Sequence, residues 1–289
     1  MSGKTRAEVE AAATAGATHE GLVGELLALA CRLAVEAGDL AAAGARRDGV
    51  ATRTKSTETD LVTAHDGAAE QVVVDGLAAD RPDDAIVGEE GTDRAGTSGL
   101  SWYVDPIDGT TNFVYGLTHW STSIAVGDAS GMLAGAVYLP VTGELFAAGR
   151  GMGATCNGEA IACRPTTDLG MALVATGFSY APVRRRRQAA IVTAIIGDVR
   201  DIRRSGSAAV DLCHVAAGRV DAYYEEHLNI WDMAAGLLIA QEAGCRSGDF
   251  AGHPPVPEQL LVTAPALFDD LARALSVAAM EAHPPPDRA

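Results

Sequence analysis

Short apolar runs that read as strands alternate with stretches of helical period through both halves of the chain. That alternation restricts the fold to stacked layers of helix and sheet. Leu22, Leu26, Leu29, Ala30 and Leu33 recur at helical spacing and open the fold with an amphipathic helix. A second helix spans residues 64–79 and ends at Arg81-Pro82-Asp83-Asp84. Strands are expected at 85–88, 101–104, 122–126, 132–139 and 144–148, with a turn at Asp128-Ala129-Ser130-Gly131. The second half continues with strands at 172–175, 220–224 and 260–262. Its helices fall at 189–196, 208–217 and 233–243, and a terminal helix starts at Pro265. The fold class is α/β, an α+β layered sandwich. It is expected to comprise a lobe over 18–165 and a second over 166–280, with a flexible segment at 1–17 and a tail at 281–289.

Charge narrows the function. Acidic residues number 38 against 22 basic ones, a net charge of −16 in 289 residues. Such a field repels nucleic-acid backbones and anionic lipid, and an anionic substrate needs cations or local positive groups to be held. The dense basic run Arg184, Arg185, Arg186 and Arg187, with Arg203 and Arg204 beyond it, reads first as a solvated helix start or surface patch. Five widely spaced cysteines include no C-x-x-C pair and read as reduced, buried thiols. No H-x-x-x-H pair exists either, which leaves carboxylates as the metal ligands to look for. No uncharged apolar run reaches the roughly 18 residues of a membrane span, and the first residues lack a signal-peptide core. A soluble, cytoplasmic protein with no membrane association is expected.

The densest chemical signal is Asp105-Pro106-Ile107-Asp108-Gly109-Thr110-Thr111-Asn112. An apolar strand runs into two aspartates three apart. Proline fixes φ after the first, and glycine permits a tight turn after the second. A helical turn beginning at Gly109-Thr110 would offer free N–H groups to a phosphate. Carboxylates beside an anion site make sense with cations between them, and magnesium prefers such oxygen ligands. Glu89-Glu90 closes the preceding strand, Asp66 stands at the start of the second helix, and Asp232 follows Trp231 at the start of a late one. Taken singly, Asp66 and Asp232 are helix-start acids and Glu89-Glu90 is a polar turn. Together with Asp105 and Asp108 they read as one site.

Three motifs in this order, Gly88-Glu89-Glu90, Asp105-Pro106-Ile107-Asp108-Gly109-Thr110-Thr111-Asn112-Phe113 and Trp231-Asp232-Met233-Ala234-Ala235-Gly236, resemble the inositol monophosphatase family. The family belongs to the lithium-sensitive, magnesium-dependent phosphatases, and the resemblance runs from about residue 20 to residue 275. It implies the alternating helix and sheet layers shared with fructose-1,6-bisphosphatase, two to three Mg2+ ions per site and a homodimer. By the resemblance, Glu89, Asp105 and the Ile107 carbonyl hold a first ion. Asp105, Asp108 and Asp232 hold a second, and Asp66 with Glu89 a third. Thr110 and Glu89 orient and deprotonate the attacking water, while the Gly109 and Thr110 N–H groups hold phosphate. Lys55 matches a lysine of an active-site loop, Glu225 a carboxylate that binds substrate hydroxyls, and Ala208 a substrate-lining turn. His65 beside Asp66 reads as a helix-surface residue.

Thr111 stands where relatives acting on adenosine bisphosphates or histidinol phosphate often carry lysine, so the resemblance favours a phosphorylated polyol or sugar. The implied reaction is hydrolysis of inositol monophosphate. The enzymatic alternatives are fructose 1,6-bisphosphate, histidinol phosphate or a nucleotide 3′-phosphate. An alternative of another class is an interaction protein of RNA-polymerase or RNA complexes that keeps the fold.

Overall fold

A computed structural model describes the backbone of residues 6–48, 51–54 and 61–282, and the side chains of 21–46, 51–54 and 62–282. The chain opens with α1 (Arg6–Asp48), which begins inside the 1–17 segment set apart from the fold in the sequence reading. The antiparallel pair β1 (Thr52–Thr54) and β2 (Leu61–Thr63) leads into α2 (Ala64–Asp80). Next come β3 (Ala85–Gly88), β4 (Asp93–Arg94), β5 (Ser101–Asp108) and the short α3 (Thr110–Tyr115). Then follow β6 (Ser121–Asp128), β7 (Gly131–Leu139), β8 (Glu144–Gly149), β9 (Ala154–Cys156) and β10 (Glu159–Ala160). The second half contains β11 (Leu173–Thr176), α4 (Pro182–Ile195), β12 (Asp201–Arg203), α5 (Ala208–Ala216) and β13 (Ala222–Glu226). It closes with α6 (Ile230–Glu242), β14 (Arg246–Gly248), β15 (Gln259–Thr263) and α7 (Phe268–Glu281).

Among the described residues, one sheet has eight strands in the order β10-β9-β8-β7-β6-β5-β3-β4, and a second has five in the order β12-β11-β13-β15-β14. In the large sheet, β3 and β5 run parallel while the other neighbours are antiparallel. Helices α1 and α2 cover one face of it. Helices α5 and α6 lie between the two sheets, and α4 with α7 covers the far face of the small sheet. Strand β6 is buried on both faces over its first seven residues, so it reads as a continuous apolar and small-residue run rather than an alternating one.

The periodicity of α1 explains its docking. Val23, Leu26, Ala30, Leu33, Ala37 and Ala41 form one buried stripe against α2 and the sheet, packed with Val73, Leu77, Trp102 and Ile124. The central core mixes both halves of the chain, with Val137, Leu139 and Phe146 of the large sheet packed with Val210, Leu212 and Leu238 of α5 and α6. The two lobes outlined from sequence therefore share a core. Each carries a sheet, but α5 and α6 belong by sequence to one and pack on both.

Two elements differ from their expected bounds. Strand β5 extends through Asp108 rather than ending at residue 104. Helix α4 starts at Pro182, well before residue 189, so all four arginines of the basic run lie in its first turns. Proline suits that first position because its missing N–H has no helical partner there. Arg184, Arg185 and Arg186 are exposed, as a surface run should be. Arg187 instead reaches Glu226 at 3.3 Å and the Ala282 carbonyl at 3.1 Å.

Candidate active site

The site begins with an irregular strand. Residues three apart in a regular strand face opposite sides of the sheet. Between Asp105 and Asp108, however, the register with β6 shifts: Asp105 pairs with Ser123 and Asp108 with Ser121. One extra residue on β5 makes a bulge, which turns both carboxylates toward one cavity. Pro106 suits it, having no N–H for the ladder. Its carbonyl accepts from Thr122 Oγ1 at 2.8 Å, and the Ile107 N–H donates to Asp105 Oδ1 at 3.1 Å. The chain then reverses at Gly109, φ 93°, where a Cβ would lie 3.1 Å from the His119 carbonyl oxygen and 3.2 Å from that of Gly206. Glycine is required there on both counts.

Neighbouring elements bring the other acids. Strand β3 runs parallel to β5, and the Glu89 N–H donates to the Val104 carbonyl at 3.0 Å, so Glu89 leaves the sheet at the same edge. Its turn is held from beneath by buried Glu70, which accepts from the Glu90 N–H at 2.9 Å and the Thr92 N–H at 3.3 Å. Gly88 makes room for that carboxylate: a Cβ would fall 2.5 Å from Glu70 Oε2.

Asp66 and Asp232 are both third residues of their helices, and each returns one oxygen to the residue before the helix. Asp66 Oδ2 accepts from Thr63 N at 2.8 Å and Thr63 Oγ1 at 2.6 Å. Asp232 Oδ2 accepts from Asn229 N at 2.6 Å. The helix-start reading and the site reading thus hold together, since capping engages one oxygen of each carboxylate. Asp108 is fixed likewise, its Oδ2 accepting from Ser207 Oγ at 2.5 Å and Ala209 N at 2.7 Å.

These residues surround a cavity of about 350 Å³ walled by Glu89, Asp105, Ile107, Asp108, Gly109, Thr110, Ala208, Glu225 and Asp232. Nine residues singled out from sequence are thereby brought together. Asp66 stands behind this wall, its Oδ1 3.4 Å from Thr110 Oγ1. His65 is half-buried and packs edge-on against Phe113, with ring centroids 5.7 Å apart. Lys55 lies outside the described residues. The wall also includes Gly177, Tyr180, Asp211 and Asn229, which sequence reading missed, and Arg204, which it read as part of a surface patch. The one local signal was the Ser205-Gly206-Ser207 turn immediately before α5; the remaining positions depend on long-range packing.

Burial sets the electrostatics. Asp105 is pushed well above the usual carboxylate range by burial, then by Glu89, Asp108 and Asp232. Asp232 is raised by burial and then by Asp108. Asp108 is pushed up to about 6 by burial, against the stabilising Ser207 and Ala209 hydrogen bonds. On the far wall, burial raises Glu225 and Asp211 to about 7 each; a Tyr223 hydroxyl bond of 2.5 Å opposes the rise at Glu225. Crowded, desolvated carboxylates of this kind gain from a cation between them. Four carboxylates and a carbonyl, with no thiolate or imidazole on the wall, suit a hard divalent ion. Among the described residues, no group of three or more His, Cys, Asp or Glu side chains is drawn together closely enough to hold a metal as it stands. The donors ring the cavity.

Alternating helix and sheet layers enclose a carboxylate-walled cavity at strand ends, and the similarity to known proteins identifies an enzyme of the phosphatase class. The model of the inositol monophosphatase family matches residues 23–282, and the chain belongs to that family. It is 44% identical over 261 residues to the inositol-1-monophosphatase of Mycobacterium leprae, covering 85% of this chain and 87% of that one. It is 43% identical over 243 residues to Nus factor SuhB of Pasteurella multocida, covering 83% and 91%. Among solved structures, extragenic suppressor protein suhB from Bartonella henselae aligns with a TM-score of 0.83 at 32% identity, covering 87% of this chain and 98% of that one. Among the described residues, no helix is long and apolar enough to cross a membrane.

Proposed function

We propose that the protein is a magnesium-dependent phosphomonoesterase that hydrolyses inositol monophosphate to inositol and phosphate. The observation that carries this reading is the cavity itself, lined by Glu89, Asp105, Asp108 and Asp232 on one side and by Asp211 and Glu225 on the other. Glu89, Asp105 and the Ile107 carbonyl would hold one ion, Asp105, Asp108 and Asp232 a second, and Asp66 with Glu89 a third. Such ions, when bound, offset the charge on the phosphoryl oxygens and lower the cost of deprotonating water.

The chain's own groups do the rest. Thr110 Oγ1 donates to the Ile107 carbonyl at 3.1 Å, so its oxygen lone pairs are available to accept from a water in the cavity. Glu89 takes that water's proton. Asp108 keeps one geometry because Ser207 and Ala209 hold its Oδ2. No side chain caps α3, which leaves the Gly109 and Thr110 N–H groups as those that would hold the phosphate. Glu225 accepts hydrogen bonds from polyol hydroxyls, backed by the Tyr223 hydroxyl. No covalent nucleophile is required, because phosphoryl transfer to water depends mainly on positioning and charge stabilisation. Lithium sensitivity and a homodimeric state accompany this reading.

The test is phosphate release with and without magnesium from inositol 1-phosphate, fructose 1,6-bisphosphate, histidinol phosphate and adenosine 3′,5′-bisphosphate. Magnesium-dependent turnover of inositol 1-phosphate above the others is expected. A folded, metal-loaded protein silent on all four overturns the proposal.

A second reading has its own motive. A relative is named a Nus factor, and Arg184, Arg185 and Arg186 are exposed on a chain of net charge −16. If the protein also joins an RNA-polymerase or RNA complex, replacing these arginines abolishes capture. Unchanged capture removes the arginines from that role.

A further inference from the structure

Away from the cavity, two cysteines distant in sequence meet at the end of α6. Helix α6 terminates with Gly244 in the left-handed region at φ 87°, and the Cys245 N–H returns to the Ala240 carbonyl at 2.9 Å. This Schellman-type ending turns Cys245 back over the helix end. The connection from β10 to β11 crosses the same spot, where the Cys163 N–H donates to the Ala243 carbonyl at 3.1 Å. A backbone hydrogen bond thus pins Cys163 beside the turn that carries Cys245. The side chains also meet: after burial, the Cys163 sulfur is the group that most strongly holds the Cys245 thiol in its protonated form. Both residues are half-buried, so a small reagent can reach them. The other thiols are placed differently. Cys213 is fully buried, Cys156 lies toward Glu144, and Cys31 sits on α1.

We propose that Cys163 and Cys245 form an intramolecular disulfide by exchange with a low-molecular-weight disulfide such as oxidised glutathione. Cys163, as thiolate, attacks one sulfur of the reagent. The reagent's S–S bond breaks, and the first small thiol leaves with a proton from solvent. Cys245 then gives up its proton, attacks the Cys163 sulfur of the mixed disulfide and releases the second small thiol. Two protein thiols are oxidised and one small disulfide is reduced to two thiols. Cys245 is the resolving partner because its position beside Cys163 favours the second step. The bond staples the inter-sheet connection to α6 and closes a loop containing most of the small sheet. Closing so long a loop chiefly restricts the unfolded chain.

The full-length protein is treated with oxidised glutathione, alkylated, digested and compared with the reduced protein. The Cys163 and Cys245 peptides should be joined, with an intact mass lower by about 2 Da. The oxidised protein should melt about 5–10 °C higher, a gain reversed by dithiothreitol. Cys163→Ser should abolish both effects while melting like the reduced parent, and a Cys31→Ser/Cys156→Ser double variant should retain both. Stable glutathione adducts on unbridged Cys163, a bridge between Cys156 and Cys213, or an unchanged Tm in fully bridged protein would each overturn the proposal.

Discussion

Gly177 follows β11 directly and faces Glu225, and adding one methyl group there tests how the far wall selects its substrate. A Cβ at Gly177 would lie 1.8 Å from Glu225 Oε2 and 2.5 Å from Oε1, whereas ordinary contact begins at 3.4 Å. In Gly177→Ala the carboxylate must therefore retreat by roughly 1.5 Å, which breaks the Tyr223 hydroxyl bond to Oε2. A hydrogen bond to a charged group contributes about 1.5–3 kcal/mol, and the same loss applies to a substrate hydroxyl that relied on Glu225. That range corresponds to a fall of about 10- to 150-fold in kcat/KM for inositol 1-phosphate. An aryl phosphate without hydroxyls has nothing to lose at Glu225 and should change by less than about threefold. Both substrates are assayed at saturating magnesium in the parent, Gly177→Ala, Glu225→Gln and the double variant. If glycine acts through Glu225, adding Gly177→Ala to Glu225→Gln costs nothing further on inositol 1-phosphate. Equal losses on both substrates would place the effect at the metal wall and refute the reasoning, as would parent-like activity on both.

Asp108→Asn should nearly abolish phosphate release while circular dichroism and Tm remain those of a folded protein; near-parent turnover in saturating magnesium would remove Asp108 from its role. Glu70→Gln weakens the support under the Glu89–Glu90 turn and should raise the magnesium concentration for half-maximal activity several-fold, with kcat largely recovered at saturation. An unchanged magnesium titration would show that the turn stands without that charge. Burial, then Arg219 and His119, depress His214 to about 4, so it is neutral in the folded state. The unfolded histidine takes a proton near 6.5, which makes this contribution to stability complete above about pH 6.5 and progressively lost down to pH 4. The loss is at most about 3 kcal/mol, reduced because His214 ends α5, where the helix dipole favours a cation. His214→Gln should flatten the difference between urea midpoints at pH 7.5 and pH 5; an unaltered difference would assign the acid sensitivity elsewhere.

What the sequence made legible was local chemistry, and what it hid was long-range. Strand β6 announces itself because helices cover both of its faces, and α1 because its stripe is uninterrupted. Asp105 and Asp108 stand out as a motif, yet their convergence depends on a bulge against Ser121 and Ser123 that only pairing with β6 creates. Four successive arginines hid the apolar period of α4, although Pro182 at its first position was a start signal. Gly177, Tyr180, Arg204 and Asp211 carry no local mark of a binding wall. They come from the end of β11, two loops and the first turn of α5, brought to one cavity by packing between the sheets.

That packing gives the shared central core a further meaning. Glu89, Asp105 and Asp108 come from the large-sheet half, whereas Asp232 and Glu225 come from the half that supplies α5 and α6. A protein severed in the connection between β10 and β11 would distribute its carboxylates over two polypeptides. Neither fragment would hold the full ligand set, and each would expose the apolar surface that the other covers. Turnover would then count reunited pairs, so the enzyme can serve as a split reporter of its own assembly.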